Sequence, residues 1–66
     1  MNTVVNGTPT DLPADINVAE LLQRLGVTAT RVAVLVNDDV VMADRRAQHL
    51  LHDGDRVEIL TFAGGG

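Results

Sequence analysis

Ile16-Asn17-Val18-Ala19-Glu20-Leu21-Leu22-Gln23-Arg24-Leu25-Gly26 holds the start, the buried face and the stop of a helix in one short run. Asn17 suits the N-cap, because its short side chain can accept a hydrogen bond from a backbone N–H of the first turn. Glu20, three residues on, can reach back to the cap and complete a capping box. Ile16 before the cap and Leu21 at the fourth helical position are spaced for a hydrophobic staple. Val18, Leu21, Leu22 and Leu25 recur at i, i+3, i+4 and i+7, which lays one apolar stripe along the helix. Gly26 ends it, since glycine enters the left-handed conformation without a Cβ clash. A two-turn helix with one apolar face needs one sheet to cover it.

The flanking sequence supplies that sheet. Upstream, Thr3-Val4-Val5 runs into Asn6-Gly7, a pair that tolerates positive φ and suits a tight hairpin turn. The return strand runs from Thr8 to Leu12, with Pro9 confined to an edge or bulge by its missing N–H. Downstream, the β-branched run Val32 to Val36 reads as a central strand. Asn37-Asp38-Asp39 is a turn and Val40-Val41-Met42 a short returning strand. Ala43 to Leu51 has weak helical spacing, through Ala47, Leu50 and Leu51, and predicts a single helical or 3₁₀ turn in an irregular connection. Asp53-Gly54-Asp55 turns the chain into a last strand, Arg56 to Phe62. Hairpin, helix, strand, short strand, connection and last strand fit a mixed sheet with one helix across it. The last strand is central beside the first, and the helical crossover permits their parallel pairing. This is an α+β fold of the β-grasp, or ubiquitin-like, type. Residues 1–62 form the β-grasp domain, followed by a flexible glycine tail at 63–66.

Sixty-six residues suffice for one small domain, with a net stability of a few kcal/mol. The chain has no cysteine, which leaves no disulfide framework and no thiolate chemistry. A net charge of −4 argues against nucleic acid, whose phosphates need a basic patch. Phe62 is the one aromatic residue, too few for a base-stacking platform. No charged-then-apolar leader and no run long enough to span a bilayer is present, so the expectation is a cytoplasmic protein without membrane contact. Serine is absent, and no threonine sits in a nucleophile motif. His49 and His52 stand at i, i+3 without further ligands for a closed metal site, so no metal is expected, and Leu50-Leu51 between them read as anchoring core residues. Asp38-Asp39 and Asp53/Asp55 read as turn formers rather than a calcium loop or paired catalytic carboxylates. Lysine is missing too; one reading is coding bias towards arginine and alanine, and the alternative is that an activated C-terminus would find no lysine amine on its own chain.

What remains is the end of the chain. Gly64, Gly65 and Gly66 follow the last apolar strand after one residue, Ala63. Glycine is the costliest residue to order and offers nothing to pack, so its value here is a slim stem for a narrow slot. Along the last strand, Val57 and Ile59 alternate towards the core with Val32, Val34 and Val36. Leu60 and Phe62 fall on the other face with Glu58 and form a candidate docking patch beside the tail. Arg56 reads as a solvated surface charge.

Several of these pieces together resemble the ThiS-like sulfur carriers of thiamine biosynthesis. They are the Val5-Asn6-Gly7 hairpin, the Val18-Ala19-Glu20-Leu21-Leu22 helix, the strand from Val32 to Asn37, the approach Asp53-Gly54-Asp55-Arg56-Val57-Glu58-Ile59, and the terminal Gly64-Gly65-Gly66. Members often carry proline after the fourth strand, where this chain has Met42-Ala43. The resemblance implies a carrier rather than an enzyme, with no bound cofactor. An E1-like, ThiF-type adenylating enzyme would use ATP to activate the carboxylate of Gly66. Sulfur from a donor such as a cysteine desulfurase would convert it to a thiocarboxylate, and thiazole synthase would receive that sulfur. Gly64 and Gly65 would be the stem entering the partners' active sites. The small subunit of molybdopterin synthase and the ubiquitin-like protein modifiers share this fold and this ending, and a ubiquitin-like interaction module with an idle tail is a fourth reading.

Overall fold

The computed structural model describes residues 1–62; the glycines of the tail lie outside the described residues. Five strands form one sheet: β1 (Asn2–Val5), β2 (Thr8–Asp11), β3 (Val32–Val36), β4 (Asp39–Val41) and β5 (Arg56–Thr61). Among the described residues one α-helix, α1, spans Val18–Leu25, and 3₁₀ turns occupy Ala29–Arg31 and Ala43–Arg45. The strand order is β2-β1-β5-β3-β4. β5 runs parallel to β1 and antiparallel to β3. The β-grasp expectation and the central last strand therefore hold.

The helix starts and stops where its sequence dictates. The N–H of Glu20 donates to Asn17 Oδ1 at 2.8 Å, and the N–H of Asn17 donates to Glu20 Oε1 at 3.1 Å. The remaining donors of the first turn are also satisfied: Val18 N–H reaches the His49 carbonyl at 3.0 Å and Ala19 N–H that of Arg46 at 3.2 Å. A helix that begins against buried chain needs such acceptors, because each unpaired N–H costs desolvation. The His49-Leu50 segment thus closes the helix N-terminus, and Asn17 bridges Leu50. Gly26 caps the other end at φ 71°. Asn17→Ala should cost about 1 kcal/mol of stability, read as a lower urea midpoint at unchanged slope; no shift would mean the outer acceptors suffice alone.

One core lies between helix and sheet. Val18, Leu21 and Leu22 from α1 meet Val5, Val32, Val34, Val36, Val41, Val57 and Ile59 from the strands, with Leu12, Ile16 and Leu51 from the connections. Arg46 is also buried, and its guanidinium donates to the Val32 carbonyl at 2.9 Å, tying the second connection to β3.

Five expectations need correction. Leu25, last in the helical stripe, is exposed: it is the final residue of an eight-residue helix whose buried stripe ends at Leu22. Leu50 is exposed while Leu51 is buried: the segment is extended at its bridge to Asn17, so neighbours point opposite ways. β4 begins at Asp39 rather than Val40, since the turn needs only Asn37 and Asp38, both at positive φ (50° and 72°). β1 gains Asn2, whose N–H donates to Asp53 Oδ1 at 2.6 Å, and β5 ends one residue early, at Thr61.

Candidate functional site

The helix covers one face of the sheet and leaves the other open. Core-directed residues of β5, Val57 and Ile59, alternate with exposed Arg56, Glu58 and Leu60. The ladder continues one step beyond the strand, because Phe62 N–H donates to the Arg31 carbonyl at 2.9 Å. Phe62 thereby stays in alternation with Leu60. The docking residues proposed from the sequence, Glu58, Leu60 and Phe62, do share one exposed face.

Register extends that face across two more strands. Glu58 lies opposite Leu35, which lies opposite Val40. Leu60 lies opposite Ala33, and Met42 follows Val40 in alternation just past β4. Val40 is 62% exposed, Met42 63%, Leu60 52% and Phe62 59%. Half-buried Ala33 and Leu35 lie between them. Single exposed apolar side chains are ordinary; four on one open face, over two half-buried ones, are a contiguous surface of the kind partners cover. Glu58 stands within it, while Arg56 is turned aside by an ion pair to Asp38 at 3.0 Å. Val40 and Met42 were missed from sequence, although buried Val41 between them would have revealed them through alternation.

Two asparagines fix the strand that carries this face. Asn6 follows β1 and Asn37 follows β3, each at φ 50° in the first position of a two-residue turn. Each flanks β5 on its own side. Asn6 N–H donates to the Val57 carbonyl at 2.9 Å, and its Oδ1 accepts from Ile59 N–H at 2.7 Å. Asn37 N–H donates to the Arg56 carbonyl at 2.8 Å, and its Oδ1 accepts from Arg56 N–H at 3.0 Å. In both cases the main chain turns away while the side-chain amide continues the ladder. Asn37 Nδ2 also donates to buried Asp55, whose other oxygen accepts from His52 N–H at 2.7 Å. Sequence reading saw these asparagines only as turn formers; nothing local signals a side chain that pairs with a strand so distant along the chain.

Among the described residues no group of three or more His, Cys, Asp or Glu side chains is placed to hold a metal ion. No helix among them is long and apolar enough to cross a membrane. The shallow recess beside β5, lined by Val4, Asn6, Gly7, Glu58 and Leu60 among others, is an extension of the open face.

The ThiS family model matches residues 3–66. The chain belongs to the ThiS family. Its members are small sulfur carriers of thiamine biosynthesis, and this chain is a carrier rather than a catalyst. The crystal structure of the thiamine biosynthesis protein ThiS from Geobacter metallireducens superimposes with a TM-score of 0.87 at 40% identity, covering all of both chains. The sulfur carrier protein ThiS of Escherichia coli strain K12 is 29% identical over 66 residues, the full length of each. A thiazole synthase of Paramagnetospirillum magneticum is 41% identical over all 66 residues, which span only 20% of that protein.

Proposed function

We propose that Gly66 is the residue on which sulfur travels. Its carboxylate is adenylated by an E1-like enzyme that supplies the ATP site, and sulfur from a persulfide donor displaces AMP to leave a thiocarboxylate. Gly64 and Gly65 form the stem that enters the partners, because a side chain there would widen it and narrow its φ/ψ range. The supporting observation is that the family match continues through Gly66 rather than stopping at the last strand. A bare carboxylate is a poor electrophile, and its mixed anhydride with AMP supplies a good leaving group. The chemistry's electrostatic help comes from the partner; this chain contributes an acyl group and a surface.

Thiazole synthase is the recipient in this reading. It is supported by the relative of that name, which carries the same unit within its own chain. The protein works in the cytoplasm, where its partners and ATP are. A strain lacking this chain should grow only when thiamine or its thiazole moiety is supplied. Loss of molybdenum-cofactor activities instead, with thiamine synthesis intact, would overturn the assignment.

The apolar face formed by Val40, Met42, Leu60 and Phe62 docks the partners. Leu60→Glu should lower the rate of sulfur loading about tenfold or more, in the range of a central interface residue. The unfolding midpoint should barely move, because Leu60 is exposed. Leu50→Glu is the control, exposed but off this face, and should load normally. Equal effects of the two substitutions would refute docking through this surface.

A further inference from the structure

We propose that Asn6 is a self-modification site, an asparagine whose deamidation to isoaspartate releases β5 from its clamp. The chain has four asparagines: Asn2, Asn6, Asn17 and Asn37. They precede Thr3, Gly7, Val18 and Asp38 respectively. Only at Asn6 is the following nitrogen unshielded by a side chain. Gly7 is exposed, and nothing lies within 4 Å of the place a Cβ would occupy. The main-chain nitrogen of Gly7, on losing its proton, attacks Asn6 Cγ. A new N–Cγ bond closes a five-membered succinimide, the Cγ–Nδ2 bond breaks, and the nitrogen leaves as ammonia with that proton. Water then opens the ring at either carbonyl, giving aspartate or isoaspartate. One water is consumed and one ammonia released, with no oxidant or cofactor.

The clamp makes this reaction conditional. Cγ cannot swing towards Gly7 while Oδ1 holds Ile59 N–H at 2.7 Å, so the ring closes only when the hairpin end opens. The two products then differ. Aspartate keeps an oxygen where Oδ1 was. Isoaspartate draws the former side-chain carbonyl into the main chain and lengthens the turn by one carbon, so Ile59 loses its acceptor. Ile59, the donor, lies on β5, the strand leading to Gly66, so the site couples the age of the chain to the hold on its working end. The modification itself stands independently of the sulfur reading; only its effect on loading rests on that reading.

The test uses the full chain, held in mildly alkaline buffer with and without urea, and peptide mapping by mass spectrometry. Asn6 should be the first asparagine to show the amide-to-acid mass gain, and conversion should be about tenfold faster in urea, where the hairpin is open. In the separated isoaspartate form, Ile59 N–H should exchange with solvent about tenfold faster than in the parent, as for loss of one hydrogen bond. Asn6→Gln, whose longer side chain closes its ring far more slowly, should show no gain at this position. Earlier conversion of Asn2, Asn17 or Asn37, equal rates with and without urea, or an Ile59 amide protected as before would each overturn the proposal. None of these readouts requires sulfur transfer.

Discussion

Removing Gly65 and Gly66 should reduce sulfur loading to background while leaving the unfolding transition cooperative and its midpoint in place. The two halves of this result come from different links in the chain of cause. Among the described residues the core is assembled from Val5 through Ile59, and a glycine has no side chain to add to it. Loading, by contrast, needs a carboxylate at the reach of Gly66. Gly65→Val refines the test, because it keeps the carboxylate and the length but widens the stem. A misplacement of about 1 Å at a reacting centre can cost about a hundredfold in rate, and a loss of that order is the expectation. Full activity after truncation would leave the domain as an interaction module with an idle tail and remove the carrier reading altogether.

Leu21→Ala should be the most damaging single substitution to stability. Leu21 is fully buried at the centre of α1, and truncating such a leucine costs about 2–5 kcal/mol in lost transfer energy and residual cavity. A domain of this size holds only a few kcal/mol in reserve, without disulfides to add to it. The variant should therefore be largely unfolded at ambient temperature, by circular dichroism and by loss of amide protection in β5. Leu21→Met, which conserves volume, should stay folded within about 1.5 kcal/mol of the parent. A small shift for Leu21→Ala would mean that the helix and sheet can close over the gap.

The fold was readable wherever local chemistry and the global answer agree. Asn17 with Glu20, and Gly26 in the left-handed region, each needed only neighbours within a turn to declare their roles. The alternation in β5 likewise separates Val57 and Ile59 from Leu60 and Phe62. Reading failed where a residue's environment is set by a distant segment. Leu50 looked like an anchor because it is apolar and adjacent to Leu51, but its bridge to Asn17 turns it outward. Leu25 kept the helical period yet is exposed as the last residue of the helix. Met42, read from sequence as part of the returning strand, lies just past β4 and is exposed. The asparagine clamps on β5 were hidden most deeply. Asn6 and Ile59 are 53 residues apart, and the same residue satisfies a turn rule so well that it invites no second question.

The open apolar face and the clamps share one strand. A partner docked on Leu60 and Phe62, as proposed, would pull on that strand, and β5 is held on one side by the long ladder to β3. On the other side β1 pairs with it at only two positions, Val4 with Arg56 and Val5 with Val57. Asn6 extends that shorter side by one more hydrogen bond, at Ile59. The surface therefore sits on a strand whose register is fixed from both sides.

The most direct test of the central claim is the intact mass of the chain after incubation with the adenylating enzyme, ATP and a persulfide sulfur donor. The account predicts a mass gain equal to replacing one oxygen by sulfur, confined to the peptide that follows Arg56 and absent when ATP is withheld. An unchanged mass, or a stable conjugate to an amine of another protein, would contradict it.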